Sequence, residues 1–457
     1  MIRVLLMMIL LLNLLHAEWA KTIIDNNLDG ASIINTGDMD NDNDLDVIVS
    51  GHYEDAIFWY SAQDWTRYSI AEGIDAPEDI KILDLNGDDL KDVLAAVSGD
   101  NQIIWFEAPN WEHHVIDSLL FGVAHLAVAD FNSDDHLDIA AAAFHLDQII
   151  LYEGPDWQKQ VIDYNLDGAE DIEASDLDAD GDMDIIASGW NCNCIVWYEA
   201  PEWEKHIIDN DLAMAYRLTI ADLNNDGCLD VIAEGWEADE VCWYENNSWE
   251  KHVIDSTIDG PQGLCTVDLD LDSDLDLVAV GSYADAVYWY EYPGWVRNVI
   301  DEDIESPHDV FAADIDNDEF YELLVTSVDG DHIALYDLTT NGTDNHLPEQ
   351  GEFNLNSFPN PFNPTTTISF LLTTQDTESA EIVIYNIKGQ KIKEFFSIDT
   401  SLHLGFNGQT DKDDKGSSYT ITWDGTDSNY QIVPSGVYFY TLSISGQSQS
   451  RKMILLK

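Results

Sequence analysis

Of 457 residues, 89 are Asp or Glu and 18 are Lys or Arg, a formal charge of −71. So negative a chain repels phosphate backbones and anionic bilayers, which excludes nucleic acid as a partner. Its 45% hydrophobic and 11% aromatic residues supply a core and exclude wholesale disorder. The carboxylates must therefore face water or hold cations.

The chain begins Met1-Ile2-Arg3, followed by an apolar run over 4–15 interrupted by Asn13, then His16-Ala17. A positive start, a short apolar stretch and a small residue at the cut predict a secretory signal peptide over 1–17. The run is short for a bilayer, and no later segment reaches the ~20 apolar residues of a transmembrane helix. We therefore expect no transmembrane helix, and export to the medium or the outer cell surface. The cysteines Cys192, Cys194, Cys228, Cys242 and Cys265 lie close together, and their odd number leaves at least one outside any intrachain pair. Cys192-x-Cys194 lacks the second pair that a zinc site needs. They read as structural, with their pairing open.

Internal repetition dominates residues 18–340. Trp19, Trp65, Trp111, Trp157, Trp203, Trp249 and Trp295 recur every 46 residues without an insertion. Tyr60, Phe106, Tyr152, Tyr198, Tyr244, Tyr290 and Tyr336 keep the same period. Each follows Trp59, Trp105, Leu151, Trp197, Trp243, Trp289 or Leu335. In the second copy, β-branched and aromatic runs over 79–83, 92–97, 102–106 and 113–116 alternate with Asp, Asn, Gly and Pro clusters. None carries a helical apolar period. Four short strands per period, seven times over, predict the blades of a β-propeller. The Trp series starts before the first acidic loop, and an eighth member would fall on Asn341. Residues 19–25 are thus an orphan outer strand, while the seventh copy lacks one. Joining the two leaves no unpaired edge. We expect an all-β, seven-bladed β-propeller whose N-terminal strand closes the last blade.

Each copy also holds an Asp-rich nonapeptide with oxygen-bearing side chains at positions 1, 3, 5 and 9. In order these are Asp38/Asp40/Asp42/Asp46, Asp84/Asn86/Asp88/Asp92, Asp130/Asn132/Asp134/Asp138 and Asp176/Asp178/Asp180/Asp184. Asp222/Asn224/Asp226/Asp230, Asp268/Asp270/Asp272/Asp276 and Asp314/Asp316/Asp318/Glu322 complete the set. Positions 1, 3 and 5 of a tight loop converge on one point, a carbonyl from position 7 joins them, and the position-9 acid closes the shell. Hard oxygen ligands in a flexible loop select Ca²⁺ over Zn²⁺ and Mg²⁺. Without a cation, carboxylates so close repel one another. Up to seven structural Ca²⁺ are expected. At position 6, Gly181 and Gly227 ease the sharp turn, and Asn43, Asp89 and Asp135 tolerate it better than Ser273 and Glu319. The sixth and seventh loops are therefore expected to bind more weakly.

Units such as Asp176-Leu-Asp-Ala-Asp-Gly-Asp-Met-Asp184 and Asp222-Leu-Asn-Asn-Asp-Gly-Cys-Leu-Asp230 resemble the FG-GAP/VCBS repeats of integrin-α-like propellers. The resemblance covers residues 18–340 and implies structural calcium at blade hairpins and a role in adhesion or ligand binding. Phe-Gly and Gly-Ala-Pro signatures are largely absent, so the VCBS type is the closer likeness.

Residues 341–352 are polar and outside the repeat, a linker. Over 353–457 basic residues become more frequent, and strand-like runs at 366–371, 380–387, 418–423, 437–444 and 451–456 predict a small immunoglobulin-like β-sandwich. Asn360-Pro-Phe-Asn-Pro-Thr, Val383-Ile-Tyr-Asn-Ile-Lys-Gly-Gln390, Trp423-Asp-Gly, Pro434-Ser-Gly-Val-Tyr438 and the terminal Lys452-Met-Ile-Leu-Leu-Lys457 resemble the type IX secretion C-terminal sorting domain, whose fold is the FlgD-like immunoglobulin type. That resemblance implies passage across the outer membrane, with the type IX export machinery reading the tail.

Identical blades cannot make one distinctive site, so function is expected where the repeat breaks its symmetry. The innermost strands begin Ser32-Ile33, Glu78-Asp79, Ala124-His125, Glu170-Asp171, Tyr216-Arg217, Gln262-Gly263 and His308-Asp309. They bring Asp79, His125, Asp171, Tyr216, Arg217, His308 and Asp309 to the central channel as candidate ligand-binding residues or as hydrogen-bonded lining. No Ser/His/Asp motif, phosphate loop or catalytic zinc signature is present. The favoured expectation is a non-enzymatic binding or adhesion protein with a glycan or protein ligand. The alternative is a polysaccharide lyase or hydrolase at the channel mouth, with His125, Tyr216 and Arg217 handling the proton.

Overall fold

Each 46-residue period folds into one four-stranded antiparallel sheet, seven in all. The computed structural model describes residues 18–246, 248–318, 320–339, 356–358, 365–372, 380–386, 391–395, 417–426, 432–434, 436–444 and 447–455. The expected signal peptide at 1–17 and linker at 341–352 lie outside the described residues, as does Glu319. Contacts divide the chain into two units, Met1–Asp344 and Asn345–Lys457.

Blade 1 holds Ala31–Gly37, Asp46–Gly51, Ala56–Tyr60 and Arg67–Glu72 in that spatial order, and blade 2 holds Pro77–Leu83, Asp92–Val97, Gln102–Glu107 and Glu112–Asp117. The strands expected in the second copy fall within two residues of these bounds. Second strands such as Asp92–Val97 and Asp138–Ala143 are buried along their whole length. Their apolar runs lack alternation because a neighbouring blade covers each face. Alanines there (Ala140 to Ala143, all 0% exposed) let adjacent sheets approach. Outer strands such as Glu112–Asp117 are mostly open to water and carry the charge.

First strands touch first strands all the way round, blade 7 meeting blade 1, so the ring is closed. Glu18–Asp25 pairs antiparallel with His332–Thr339, Trp19 opposite Leu338 and Thr22 opposite Leu335. The N-terminal strand thus completes the seventh blade, as expected. Ile34 donates its N–H to Asp309 Oδ2 at 3.0 Å and Gly30 to Asp331 Oδ1 at 3.1 Å, which fastens the same seam near the axis.

A second device joins blade to blade. Tyr60, Tyr152, Tyr198, Tyr244, Tyr290 and Tyr336 are at most 1% exposed, and a buried hydroxyl needs an acceptor. Each donates to an Asp ending the outer strand of the preceding blade, for example Tyr198 to Asp163 at 2.8 Å and Tyr336 to Asp301 at 2.7 Å. Lys21, Arg67, Lys159, Lys205, Lys251 and Arg297 pair with the same carboxylates, Lys205 with Asp163 at 2.7 Å. Burial opposes the charge of Asp163, yet the Lys205 and Tyr198 hydrogen bonds outweigh it and hold the carboxyl below its usual range. Where the second copy has Phe106 instead of Tyr, the acceptor position is Ala71, so donor and acceptor are lost together. The repeat Trp residues pack between blades, Trp111, Trp157, Trp203, Trp249 and Trp295 each against a separate core cluster.

The C-terminal unit is a two-sheet sandwich. One sheet orders Asn356–Phe358, Thr366–Leu372 and Ser417–Trp423, and the other Lys391–Phe395, Ala380–Asn386, Gly436–Ile444 and Gln447–Leu455. Ile368, Ile421 and Trp423 from the first pack with Ile382, Ile384, Tyr440 and Leu442 from the second. Trp423 is fully buried and donates its indole N–H to the Thr426 carbonyl at 2.9 Å. The sequence reading missed Asn356–Phe358 and Lys391–Phe395, which are short and have little apolar alternation. Of the sorting-domain signature, the Pro-Phe-Asn-Pro core at 361–364 and the Gly-Gln at 389–390 lie outside the described residues.

Candidate functional site

The acidic loops wind around their first residue. Asp38 Oδ1 accepts the N–H of Asp42 and Oδ2 that of Asn43, each at 3.0 Å. Asp84, Asp130, Asp176 and Asp222 do the same with positions 5 and 6 of their own loops. Such winding needs a left-handed residue at position 6, as Asn43 (φ 73°) and Gly181 (φ 102°) provide. Position 4 is left-handed too, as at Asn41 (φ 61°), Ala179 (φ 60°) and Leu271 (φ 59°), a requirement the sequence reading did not draw. Asn41, Gly87, Asn225 and Asn317 at that position were the available signal.

The winding gathers oxygens. Carboxylate oxygens lie within 4.8 Å of one another in Asp38/Asp40/Asp42, Asp176/Asp178/Asp180, Asp268/Asp270/Asp272 and Asp314/Asp316/Glu322. The other three loops carry an amide oxygen at position 3 in place of one carboxylate. Among the described residues, the second, third and fifth loops form no cluster of three carboxylates. The cause is the amide at position 3, which leaves only two acids among positions 1, 3 and 5. Its oxygen accepts the same position-5 N–H that Asp178 and Asp270 accept in the fourth and sixth loops. Asn86 Oδ1 accepts the Asp88 N–H at 3.0 Å, Asn132 Oδ1 the Asp134 N–H at 3.0 Å, and Asn224 Oδ1 the Asp226 N–H at 2.9 Å. Asp88, Asp134 and Asp226 are exposed and accept the N–H two residues on, at 2.8 to 2.9 Å. In the seventh loop the exposed Asp318 is likewise outside the cluster and accepts the Phe320 N–H at 2.8 Å. Glu322 takes its place there, since its side chain is one methylene longer than the Asp at position 9 of the other loops.

Elsewhere the position-9 acid does not join the cluster but has another duty. Asp184 Oδ2 accepts the Leu177 N–H at 3.1 Å and Oδ1 the Ala200 N–H at 2.9 Å, so it clasps its loop to the strand pair beyond. Asp46, Asp92, Asp138, Asp230 and Asp276 repeat both bonds. Burial, and then the neighbouring acids, push Asp276 up to about 7 and Glu322 up to about 8 against those backbone bonds. Asp268 Oδ1 is buried with no hydrogen-bond partner among the described residues. A donor set of hard oxygens that crowds its own charge, with one oxygen left unsatisfied, fits a divalent cation of the calcium type.

The inner strands bring Asp79, His125, Asp171, Arg217, His308 and Asp309 to the axis, at the ends opposite the acidic loops. Three of them are spent between blades. Asp79 Oδ2 accepts the Leu126 N–H at 2.9 Å, Asp171 Oδ2 the Leu218 N–H at 2.8 Å, and Asp309 the Ile34 N–H already described. Arg217 reaches from blade 5 to blade 3, where Nη1 donates to His125 Nε2, and His125 Nδ1 donates to the Glu170 carbonyl at 2.9 Å. Burial and then Arg217 push His125 down to about 3, which keeps it neutral for both bonds. His125 is 4% exposed with both ring nitrogens engaged, so it offers no free nitrogen to a substrate. His308 is likewise pushed down to about 3, by burial and then Arg217, and its Nδ1 has no hydrogen-bond partner among the described residues. At Gly263, an added Cβ would lie 2.7 Å from the His308 carbonyl oxygen, so only glycine admits the approach of blades 6 and 7. Tyr216 stands beside Arg217, whose guanidinium carbon is 5.5 Å from its ring centre.

Glu234 was not anticipated. It is 0% exposed and neither carboxyl oxygen has a hydrogen-bond partner among the described residues. The equivalent positions Ser50, Ser188 and Thr326 each accept an inner-strand N–H at 3.0 Å. Burial holds Glu234 well above the usual carboxylate range, against the attraction of Arg217. A raised acid stabilises the fold least when the unfolded chain ionises freely. Its contribution is intact below about pH 4 and is lost as pH rises toward its folded value. We expect Glu234→Ser to raise the melting temperature, with a gain that widens as pH rises above about 4. Thermal melts of both proteins across that range check it; a gain independent of pH would contradict a neutral buried acid.

Histidines of three outer strands stack on repeat tryptophans: His114 on Trp105, His206 on Trp197 and His252 on Trp243, with ring centroids 4.4 to 4.5 Å apart. Cys192 and Cys194 form a disulfide within the blade 4 hairpin, while Cys242 and Cys265 are free thiols.

With this geometry in hand, comparison with known proteins places the repeat. The profile of the FG-GAP-like repeat matches residues 176–233, from the fourth acidic loop into blade 5. Those residues are an FG-GAP-like repeat. No curated protein sequence matches the chain. A crystal structure of BBS1N in complex with ARL6DN is similar at 11% identity and a TM-score of 0.54, over 71% of this chain and 98% of that one. At such identity the likeness concerns the propeller fold alone. An auxiliary nutrient binding protein from Bacteroides ovatus has 12% identity and a TM-score of 0.43, over 70% of this chain and 73% of that one. A nidogen/laminin complex has 12% identity and a TM-score of 0.41, over 54% of this chain and 90% of its own. Among the described residues no helix is long and apolar enough to cross a membrane.

Proposed function

We propose that the protein is an exported binding propeller, stabilised by calcium in its FG-GAP-like loops, that seats a glycan or protein ligand at the mouth of its central channel. The supporting observation is a division of labour between two ends of the blades. The acidic loops repeat with little change, as a scaffold must. The opposite ends of the inner strands vary around the ring, only Glu78-Asp79 and Glu170-Asp171 being alike, and Arg217 of blade 5 reaches His125 of blade 3. Delivery through type IX secretion is part of the proposal and rests on the C-terminal motifs. Asp38 to Glu322 of the seven nonapeptides are the metal ligands in this reading, with the amide oxygens of Asn86, Asn132 and Asn224 serving where an acid is missing. Tyr216, Arg217 and His308 are the groups facing the ligand, with His125, Asp79, Asp171 and Asp309 holding them in place.

The test is binding of the calcium-loaded full chain to a glycan array and a panel of immobilised extracellular proteins, beside an assay for unsaturated sugar products. We expect binding without product formation, weakened about tenfold or more by Arg217→Ala, as for removal of a charged hydrogen-bonding group. Unsaturated products that vanish in both His125→Ala and Arg217→Ala would establish the lyase instead.

A further inference from the structure

Fifteen tryptophans are present, and the two periodic series absorb all but Trp190, Trp236 and Trp423. Trp423 is core of the C-terminal unit. Trp190 and Trp236 occupy the same place in the hairpins of blades 4 and 5, and they touch, with ring centroids 5.6 Å apart. The other blades put His52, Ser98, Phe144, Ser282 and Val328 there. A hairpin that closes with serine or valine does not need an indole, so the pair is not explained by the blade.

The contacts extend in a line. Tyr216 meets Trp190 at 5.4 Å, Trp190 meets Trp236, and Trp236 meets Tyr283 at 5.2 Å. Both indoles are partly exposed and Tyr283 is 64% exposed. Four aromatic side chains therefore run across blades 4 to 6 at the channel mouth, beginning beside Arg217. They are held in advance of any ligand. The backbone N–H of Trp190 donates to the Gly168 carbonyl at 2.9 Å and that of Trp236 to the Met214 carbonyl at 3.0 Å, and the Cys192–Cys194 disulfide closes the hairpin that carries Trp190. Little ordering remains to oppose binding.

We propose that this strip binds a neutral oligosaccharide, the tilted faces of Trp190 and Trp236 (38° apart) stacking on neighbouring sugar rings, Tyr216 and Tyr283 flanking them edge-on, and Arg217 meeting hydroxyls at one end. The proposal rests on the reading of the channel mouth as a binding site and adds the class of ligand. A line of rings suits an extended ligand with repeated apolar faces, whereas a single organic cation needs rings closed around one point. A net charge of −71 selects against polyanionic polysaccharides. Exposed Asn191 and Glu237, next along each hairpin, offer acceptors for sugar hydroxyls.

Calorimetric titration and tryptophan fluorescence of the calcium-loaded full chain, with cellohexaose, xylohexaose and mannohexaose against polygalacturonate, test it. We expect at least one neutral hexasaccharide to bind and perturb the fluorescence, and polygalacturonate to bind at least about tenfold more weakly. Trp190→Ala and Trp236→Ala are each expected to weaken binding about tenfold or more, while Tyr68→Ala on the outer strand of blade 1 leaves it unchanged. Trp190→Phe and Trp236→Phe keep a stacking face and should retain binding within about threefold, which covers an Ala variant that fails to fold. No binding of any neutral probe overturns the proposal, as does equal binding of polygalacturonate. Sugar binding lost in Arg217→Ala but untouched in both Trp→Ala variants overturns the strip and leaves the channel site standing.

Discussion

Removing calcium from the loaded protein with a chelator is expected to lower its melting temperature by about 10 °C or more, reversibly on adding calcium back. A ligand that binds only the folded state at about 100 times its dissociation constant adds about 2.7 kcal/mol per site. Several loops share one ring, so even partial effects accumulate. The direction follows from the loops themselves. Asp38, Asp40 and Asp42 bring their oxygens within 4.8 Å of one another, as do their counterparts in the fourth and sixth loops. Burial and crowding leave Asp276 and Glu322 reluctant to ionise without a cation. The sixth loop should release its ion first among those whose turn is described. It holds Leu271 at φ 59° and Ser273 at φ 81°, where other loops use Asn, Asp or Gly at one position or both. A left-handed Leu costs roughly 1–2 kcal/mol. Differential scanning calorimetry with and without chelator is the measurement, and coincident melts would falsify the calcium reading.

Deleting residues 1–26 is expected to abolish soluble folding of the propeller, and returning the strand at the other end of the repeat region is expected to restore it. The deletion strips Glu18–Asp25 from His332–Thr339 and opens Leu335 and Tyr336, each 1% exposed, at an unpaired edge. It also removes the Lys21 contact to Asp301 at 2.7 Å and the Asp25 acceptor of Tyr60 at 2.8 Å. An apolar edge of this kind pairs with other chains. Glu18 lies opposite Thr339 in the antiparallel register, so a short hairpin can carry residues 18–29 directly after position 339. Size-exclusion chromatography and circular dichroism of the deletion and the permuted chain decide it. A deletion protein that stays monomeric and folded means the ring does not depend on this strand.

Loops and strands of this protein were legible because their causes are local. Nine residues suffice to wind a carboxylate loop, so the spacing of Asp176, Asp178 and Asp180 carried its geometry, and apolar runs such as 92–97 carried the strands. An amide at Asn86, Asn132 or Asn224 keeps the pattern of oxygens while removing one charge from it. The shared period even betrayed the closure, since Trp19 had no acidic loop before it. What escaped was contact between neighbouring blades. Lys21, Arg67, Lys159, Lys205, Lys251 and Arg297 keep the 46-residue period, broken only at His113. Their partners, however, lie 42 residues away, or across the closing seam, on another sheet. Asp79, Asp171 and Asp309 stood out in sequence as breaks in symmetry, yet two of the three clasp a backbone N–H 47 residues on, and the third one across the seam.

The sequence by itself thus determined the number of blades, the chemistry of their loops and the segment that closes the ring, because each is written within one repeat. Only the tertiary structure decided which symmetry-breaking residues remain available to a ligand. Curving seven sheets around one axis is what brings Arg217 to His125, buries the Glu234 carboxyl, and sets Trp190 against Trp236.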